Sequence, residues 1–417
     1  MPRNLPRIVM KFGGTSVADL GRIRKVAYTI KKQVEAGCEV TVVVSAMSGV
    51  TNQLVGYCEA LNPLFDRSEY DSIVSTGEQV TSGLLAIALQ TIGVPSRSWS
   101  GWQIPLLTDS VYSNARIKKI DALKIIECMQ SGIVPVIAGF QGIDETGKVT
   151  TLGRGGSDTS AVAIAASIKA IRCDIYTDVD GIYTTDPRIV NKAKHIKSIA
   201  YEEMLELASG GAKVLQTRSV ELAMKEKVRV QVLSSFKEDQ APMENALPGS
   251  LVVSEEEIVE KEQVTGIAYS MNEAKVIIKG LPDQPGIAAS IFRPLAEENV
   301  NVDMIAQSGA TDQITNMTFT VPKTDLKRTQ QILEQNKQTI GFTQVLTDNE
   351  VVKISVVGIG MRSHTGVANT MFKTLADRSI NIQAISTSEI KVSVLIASEY
   401  MELAMRALHT AYGLDYT

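Results

Sequence analysis

The chain has 417 residues, enough for two or three domains, and its 44% hydrophobic and 21% charged content is that of an ordinary globular protein. A net charge of −4 gives no general attraction to nucleic acid or an anionic membrane; no apolar run is long enough to span a bilayer and no signal h-region opens the chain. Four scattered cysteines, Cys38, Cys58, Cys128 and Cys173, point to a reducing cytoplasm without disulfides or a cysteine zinc site, and the three histidines, His195, His364 and His409, lie too far apart in sequence to suggest a metal cluster or a Ser-His-Asp hydrolase.

The chain opens with a short apolar run carrying one lysine, Ile8-Val9-Met10-Lys11-Phe12, followed at once by Gly13-Gly14-Thr15-Ser16. This reads as strand, glycine turn and helix from about Ala18. The glycines let a phosphate approach the backbone, and Lys11 at the strand end can neutralise its charge. It is not a Walker A loop, because the lysine precedes the glycines. The alternative is a tight turn with a solvated lysine. Val40 to Val44 is β-branched and reads as a buried parallel strand, with a small-residue loop from Ser45 to Thr51. Ser75-Thr76-Gly77-Glu78 is a third turn into a helix, where Glu78 either caps the first turn or faces a ligand. Ile133 to Ala138 and Gly139 to Gly142 give another strand and loop.

Thr151-Leu152-Gly153-Arg154-Gly155-Gly156-Ser157-Asp158-Thr159 is the densest stretch. Glycines surround one arginine, and capping residues open a helical run from Ser160 to Ala170. Unpaired amides at a helix start make an anion site, and the planar fork of Arg154 suits a carboxylate or phosphate. A plain capped turn is the alternative. Cys173 to Tyr183 is a strand with an acidic end. Asp178, Asp180 and Asp186 could hold Mg²⁺ directly or through water, or could be turn residues. Lys213 closes a flexible loop, as a phosphate partner or as an exposed lysine. Repeated strand–loop–helix units argue for an open parallel sheet covered by helices on both faces, with ligands beyond the carboxyl ends of the strands.

Lys11 to Ser16, Ser75 to Glu78, Thr151 to Asp158 and Thr177 to Tyr183, in that order and spacing, resemble the aspartate kinase (aspartokinase) family. The resemblance covers the whole chain. It implies an α/β fold: a three-layer α/β/α amino-acid kinase domain with a mainly parallel sheet, plus two ferredoxin-like ACT regulatory domains. It implies transfer of the γ-phosphoryl group of ATP, with Mg²⁺, to the side-chain carboxylate of L-aspartate, on the route to lysine, methionine and threonine. Lys11, Asp158 and Lys213 are then the catalytic candidates. Thr51, Glu78, Arg154, Gly155, Gly156 and Ser157 would bind aspartate, with Arg154 on a carboxylate and Glu78 on the ammonium. Lys11, Phe12, Gly13, Gly14, Thr177, Asp178, Tyr183, Asp186, Arg188 and Lys213 would surround the nucleotide.

A linker near Ser235 to Glu262 separates an internal repeat. Gly286-Ile287-Ala288 to Phe292, Leu295-Ala296, Asn301 and Ile305 line up with Gly366-Val367-Ala368 to Phe372, Leu375-Ala376, Asn381 and Ile385. The pair resembles the ACT domains of regulated aspartokinases. The expected boundaries are 1–245 for the catalytic domain and 263–345 and 346–417 for the ACT domains. By resemblance, Asp283, Gly286, Asn301, Asp303, Gln307, Val367, Asn381, Ile382, Ser388 and Glu389 fall at effector sites for lysine and threonine. A homo-oligomer or an α/β oligomer through the ACT domains is expected, with no nucleic acid or membrane partner. Whether an internal start at a methionine such as Met271 yields a separate regulatory subunit is not set by the sequence. Val357 to Ser363 echoes a dinucleotide fingerprint, but its third glycine is replaced by Ser363. The competing readings are a kinase for glutamate or another small carboxylate, and a catalytically dead amino-acid sensor.

Overall fold

A computed structural model describes residues 5–212, 214–237, 248–258 and 262–415. The chain divides into two compact units. One comprises Met1–Ile182, His195–Ala208 and Lys213–Glu260, and the other Tyr183–Lys194, Ser209–Ala212 and Lys261–Thr417.

The first unit is built on eight strands, in the order Ser198–Ala200, Ser250–Val253, Val230–Ser234, Arg172–Thr177, Arg7–Phe12, Glu39–Val44, Val134–Ala138 and Ser96–Trp99. Neighbours run parallel except Val230–Ser234 against Ser250–Val253. Side chains alternate across a strand, so the central strands feed both faces. Ile8, Met10, Phe12, Val40, Val42 and Val44 meet Ile23, Val26 and Ile30 of helix Leu20–Glu35 and Leu85 and Leu89 of helix Thr76–Thr91. On the other face Ile175 and Val230 meet Val162 of helix Gly156–Ser167 and Val220 and Ala223 of helix Thr217–Glu226. Helices therefore cover both faces, giving three layers.

The helix expected from Ser160 begins four residues earlier, at Gly156. Its residues from Gly156 to Ala165 are all buried, which explains why it is rich in alanine and shows no polar stripe. A smaller sheet of Ile117–Ile120, Leu106–Thr108, Gln141–Ile143 and Val149–Thr151 carries the chain into that helix.

The second unit contains a six-stranded sheet in the order Asp303–Gln307, Ile314–Val321, Gly266–Pro282, Gln344–Val357, Lys391–Ala397 and Ala384–Thr387. Its two long central strands are each shared between two modules. Residues Ala274 to Pro282 pair with Ile314–Val321, and their core contains Ile278, Ile291, Leu295, Phe319 and Leu333. Residues Gly266 to Ser270 pair instead with Lys353 to Val357, and Ile267 packs with Ile354, Met371, Val394 and Leu408. The repeat expected from sequence is visible in the helix starts. Ile287–Glu297 and Val367–Ala376 each follow a left-handed glycine, Gly286 at φ +93° and Gly366 at φ +99°.

The boundaries of 263–345 and 346–417 therefore do not follow the packing. The second module takes a strand from upstream of the first, because only Gly266 to Ser270 completes the hydrogen bonding of Lys353 to Val357 on that side. Residues Tyr183–Lys194, placed by sequence in the catalytic domain, also group with the second unit. Ile189 and Val190 enter its core, Thr184 accepts the Ile267 N–H at 2.7 Å, and buried His409 joins Thr184 Oγ1 to Asp415 at 2.8 Å on each side. Among the described residues, no helix is long and apolar enough to cross a membrane.

Ile267 lies outside the span that sequence gives the second module. Ile267→Ala should nonetheless destabilise that module by about 3 kcal/mol, the usual cost of emptying a core isoleucine site. Urea unfolding monitored by amide exchange in Lys391–Ala397 reads this directly.

Candidate active site

Strand alternation sets the first feature. Phe12 faces the hydrophobic core and stacks on Tyr176, with ring centroids 4.6 Å apart. Lys11, one residue earlier, must face the opposite way. Its ammonium lies 2.5 Å from the carboxylate of Asp158, in the first turn of helix Gly156–Ser167. Both residues are 8% exposed. Phe12, expected beside the nucleotide, is thus a core side chain, and its carbonyl is taken by the Ser45 N–H at 3.1 Å.

The turn after this strand is close-packed. The Gly13 N–H donates to the Tyr176 carbonyl at 3.2 Å, so it is already used. The Gly14 N–H has no partner among the described residues, and a Cβ on Gly14 would stand 3.0 Å from the Ala46 carbonyl. The loop at Ala46 in turn meets helix Thr76–Thr91, where a Cβ on Gly77 would be 2.7 Å from that of Ala46. Glu78 Oε1 accepts the Ala46 N–H at 3.0 Å. Glu78 is 3% exposed, and its other oxygen has no partner among the described residues. Burial pushes its pKa up to about 7, against the lowering effect of the Ala46 N–H. Gly139, at the end of Val134–Ala138, closes the ring. A Cβ there would stand 3.0 Å from both Ser157 Cβ and the Val44 carbonyl. Three loops at the carboxyl ends of adjacent parallel strands and the start of helix Thr76–Thr91 therefore pack together.

Arg154 is exposed at the head of the helix and has no hydrogen-bond or ion-pair partner among the described residues. It is held out between two left-handed glycines, Gly153 at φ +76° and Gly155 at φ +73°. A Cβ on Gly155 would collide with Gln216 Cγ at 2.0 Å, so glycine is required by space as well as by backbone. Two side chains that sequence reading missed brace this arch. Buried Asp71 accepts from the Thr151 N–H and hydroxyl, both at 2.7 Å, and from the Ser113 N–H at 2.8 Å. Arg218 donates to the carbonyls of Leu152 at 2.7 Å and Ala115 at 2.5 Å. Neither sits in a motif, and their partners lie tens of residues away, so nothing local marks them.

Thr51 is half-buried in the first turn of helix Val50–Leu61. Gly156 and Ser157 are buried in the first turn of their helix. Thr177 ends its strand, its carbonyl accepting the Ser235 N–H at 2.9 Å and its hydroxyl 3.1 Å from Asp178. The three aspartates read as a possible cation site are spent otherwise in part. Asp180 pairs with Lys237 at 2.5 Å, and Asp186 holds Arg188 at 2.7 Å. Tyr183, Asp186 and Arg188 belong to the second unit. Lys213 lies outside the described residues. Among those described, no group of three His, Cys, Asp or Glu side chains could hold a metal ion.

Of the effector candidates, Asp283, Gly286, Asn301, Asp303, Gln307, Asn381, Ser388 and Glu389 are exposed. Val367 is buried and Ile382 packs against the same core, so both side chains serve packing.

The amino acid kinase family matches residues 6–234, and an ACT domain matches twice, over 275–341 and 354–412. An aspartate kinase of Pseudomonas putida is 52% identical over 98% of this chain and 98% of its own. The structure of E. coli aspartokinase III in complex with aspartate and ADP aligns over 97% of this chain and 99% of its own, with a TM-score of 0.80 and 26% identity. The same enzyme in complex with lysine and aspartate aligns over 97% and 98%, with a TM-score of 0.74 and 27% identity. Fold and matches together define the class, an amino acid kinase domain joined to a pair of ACT domains. The chain belongs to the aspartate kinase family.

Arg218→Met should loosen the Arg154 arch without touching any ligand group. Losing two hydrogen bonds from a charged donor should speed amide exchange in Leu152 to Gly156 by roughly ten-fold or more. Hydrogen-exchange mass spectrometry checks this.

Proposed function

We propose that this chain transfers the γ-phosphoryl group of ATP to the side-chain carboxylate of L-aspartate, giving 4-phospho-L-aspartate and ADP. The observation that carries the reading is the Lys11–Asp158 pair beside a partnerless arginine and a half-satisfied buried glutamate. The alignment with a kinase structure holding aspartate and ADP supports it.

The chemistry suits these residues. A side-chain carboxylate is ionised well below pH 7, so it attacks phosphorus without a general base. The barrier lies in bringing it against a triphosphate of the same sign. Lys11 supplies a cation at the strand end. Its ion pair with Asp158 fixes the ammonium at the strand end, where its N–H donors can meet phosphate oxygens. The Gly14 amide and the start of helix Gly156–Ser167 add partial positive charge. Arg154 offers a fork for a substrate carboxylate, and the open oxygen of Glu78 takes its ammonium. Thr51, Gly155, Gly156 and Ser157 would line the aspartate, and Thr177 and Asp178 the nucleotide. Tyr183, Asp186, Arg188 and Lys213 keep the nucleotide role that the resemblance implies. Mg²⁺ would neutralise the phosphates; the donors present suit an ion held chiefly by phosphate oxygens, with one or two carboxylates at most.

The ACT pair supports feedback regulation by lysine, threonine or both, with Asp283, Gly286, Asn301, Asp303, Gln307, Asn381, Ser388 and Glu389 as effector residues. E. coli aspartokinase III has been captured with lysine. Assembly of copies through the ACT domains, as a homo-oligomer or an α/β oligomer, and a cytoplasmic location belong to the same reading. The deciding assay couples ADP release to acyl-phosphate capture by hydroxylamine, with aspartate and glutamate in parallel. Preference for glutamate would reject the assignment.

Arg154→Ala should raise KM for aspartate at least ten-fold with little change in KM for ATP, the loss of one charged hydrogen-bond fork costing about 1.5–3 kcal/mol. Lys11→Ala should act mainly on kcat, and steady-state kinetics separates the two. Because Glu78 is protonated below about pH 7 in the free protein, and only the carboxylate pairs with an ammonium, KM for aspartate should climb as pH falls. Between pH 8 and pH 6 the rise is about ten-fold, with KM for ATP unchanged. A flat profile removes Glu78 from ammonium recognition.

A further inference from the structure

The second unit holds a buried ion cluster that the reaction does not use. Lys353, 9% exposed, stands on the long strand Gln344–Val357. Its ammonium lies 2.8 Å from Glu273 and 2.6 Å from Asp303. These three residues line a cavity of about 360 Å³ together with Asn301, Thr320 and Lys391. That volume suits a small molecule. The Thr320 hydroxyl is wholly buried and has no hydrogen-bond partner among the described residues, so the cavity wall carries an unanswered polar group.

The two carboxylates that hold Lys353 differ in freedom. Glu273 is 7% exposed and lies on Gly266–Pro282, a strand with hydrogen-bonded neighbours on both sides. Asp303 is half exposed and begins a strand at the edge of the sheet. Met304 after it has φ +46°, and the pairing slips before Ala306. Asp303 can therefore turn towards a ligand while Glu273 stays. Burial alone would push the Lys353 pKa down, yet the two acids hold it above its ordinary value. With Asp303 gone, Glu273 still neutralises the ammonium, so the exchange leaves no bare buried charge.

We propose that Lys353 is a tethered competitor for amino acid effectors: its ammonium occupies Asp303 in the empty site, and the ammonium of an incoming amino acid gains Asp303 only by leaving Lys353 to Glu273. This rests on the reading of Asp303 as an effector residue and specifies what sets the affinity there. The cavity supplies the other half of a zwitterion site, since Lys391 also lines it and brings a cation for a ligand carboxylate.

Isothermal titration of the full chain with L-lysine and, separately, with L-threonine tests it. Lys353→Met removes the competitor and should tighten binding about five-fold or more, a modest coupling between groups sharing one partner. Glu273→Gln leaves Asp303 as the sole acid on Lys353 and should weaken binding by a similar factor. Both shifts should recur in the half-inhibitory concentrations. An unchanged or weaker Kd for folded Lys353→Met overturns the proposal. Should that variant fail to fold, Glu273→Gln decides alone, and an unmoved Kd overturns it. A wild-type chain that binds neither amino acid overturns the effector reading and the competitor together, whereas wild-type binding that the substitutions leave unmoved overturns only the competitor.

Discussion

The contact between Lys11 and Asp158 is the constraint from which the catalytic unit is arranged. It joins a central strand to the head of a helix on one face of the sheet, and both partners are nearly dry. Removing either partner would leave a buried, unpaired group, so each side chain holds the other in place. The strand can present this lysine only because the neighbouring phenylalanine, with opposite orientation, anchors the other face. Charge is then available where two like-signed reactants must meet, at a desolvation cost that the flanking hydrophobic layers absorb.

Around that pair the loops show two kinds of construction. Gly14, Gly77 and Gly139 let neighbouring backbones come together closely, so the strand ends form one continuous wall. The Arg154 arch is different: it projects outward and needs external bracing. Asp71 and Arg218 supply it through main-chain groups, one from each side, so the arginine itself remains uncommitted. Specificity and rigidity are thus assigned to separate side chains.

How much of this was legible in the sequence varied with the range of the interaction. Strand runs such as Val40 to Val44 and the glycine turns announced the parallel sheet, because periodicity and backbone freedom are local properties. The same locality made Lys11, Glu78, Arg154 and Asp158 stand out. That the Phe12 side chain packs in the core was not legible, because motif membership ignores which face a side chain takes. Asp71 and Arg218 were invisible, as their partners are brought in by folding alone. Strand sharing between the modules was hidden for a similar reason: Gly266 to Ser270 precedes the first repeat in sequence, but its hydrogen bonds go to Lys353 to Val357 of the second. The core packing of the Val367 and Ile382 side chains was likewise not marked by their place in the repeat.

That borrowed strand has a genetic corollary. Translation restarted at Met271 would make a polypeptide whose earlier module keeps every strand while the later one lacks its neighbour for Lys353 to Val357. The bare flank would present unsatisfied main-chain donors and acceptors, which another polypeptide could complement by lending its own segment. Where the message reopens thus decides whether a free-standing regulatory product is self-sufficient or obligately paired.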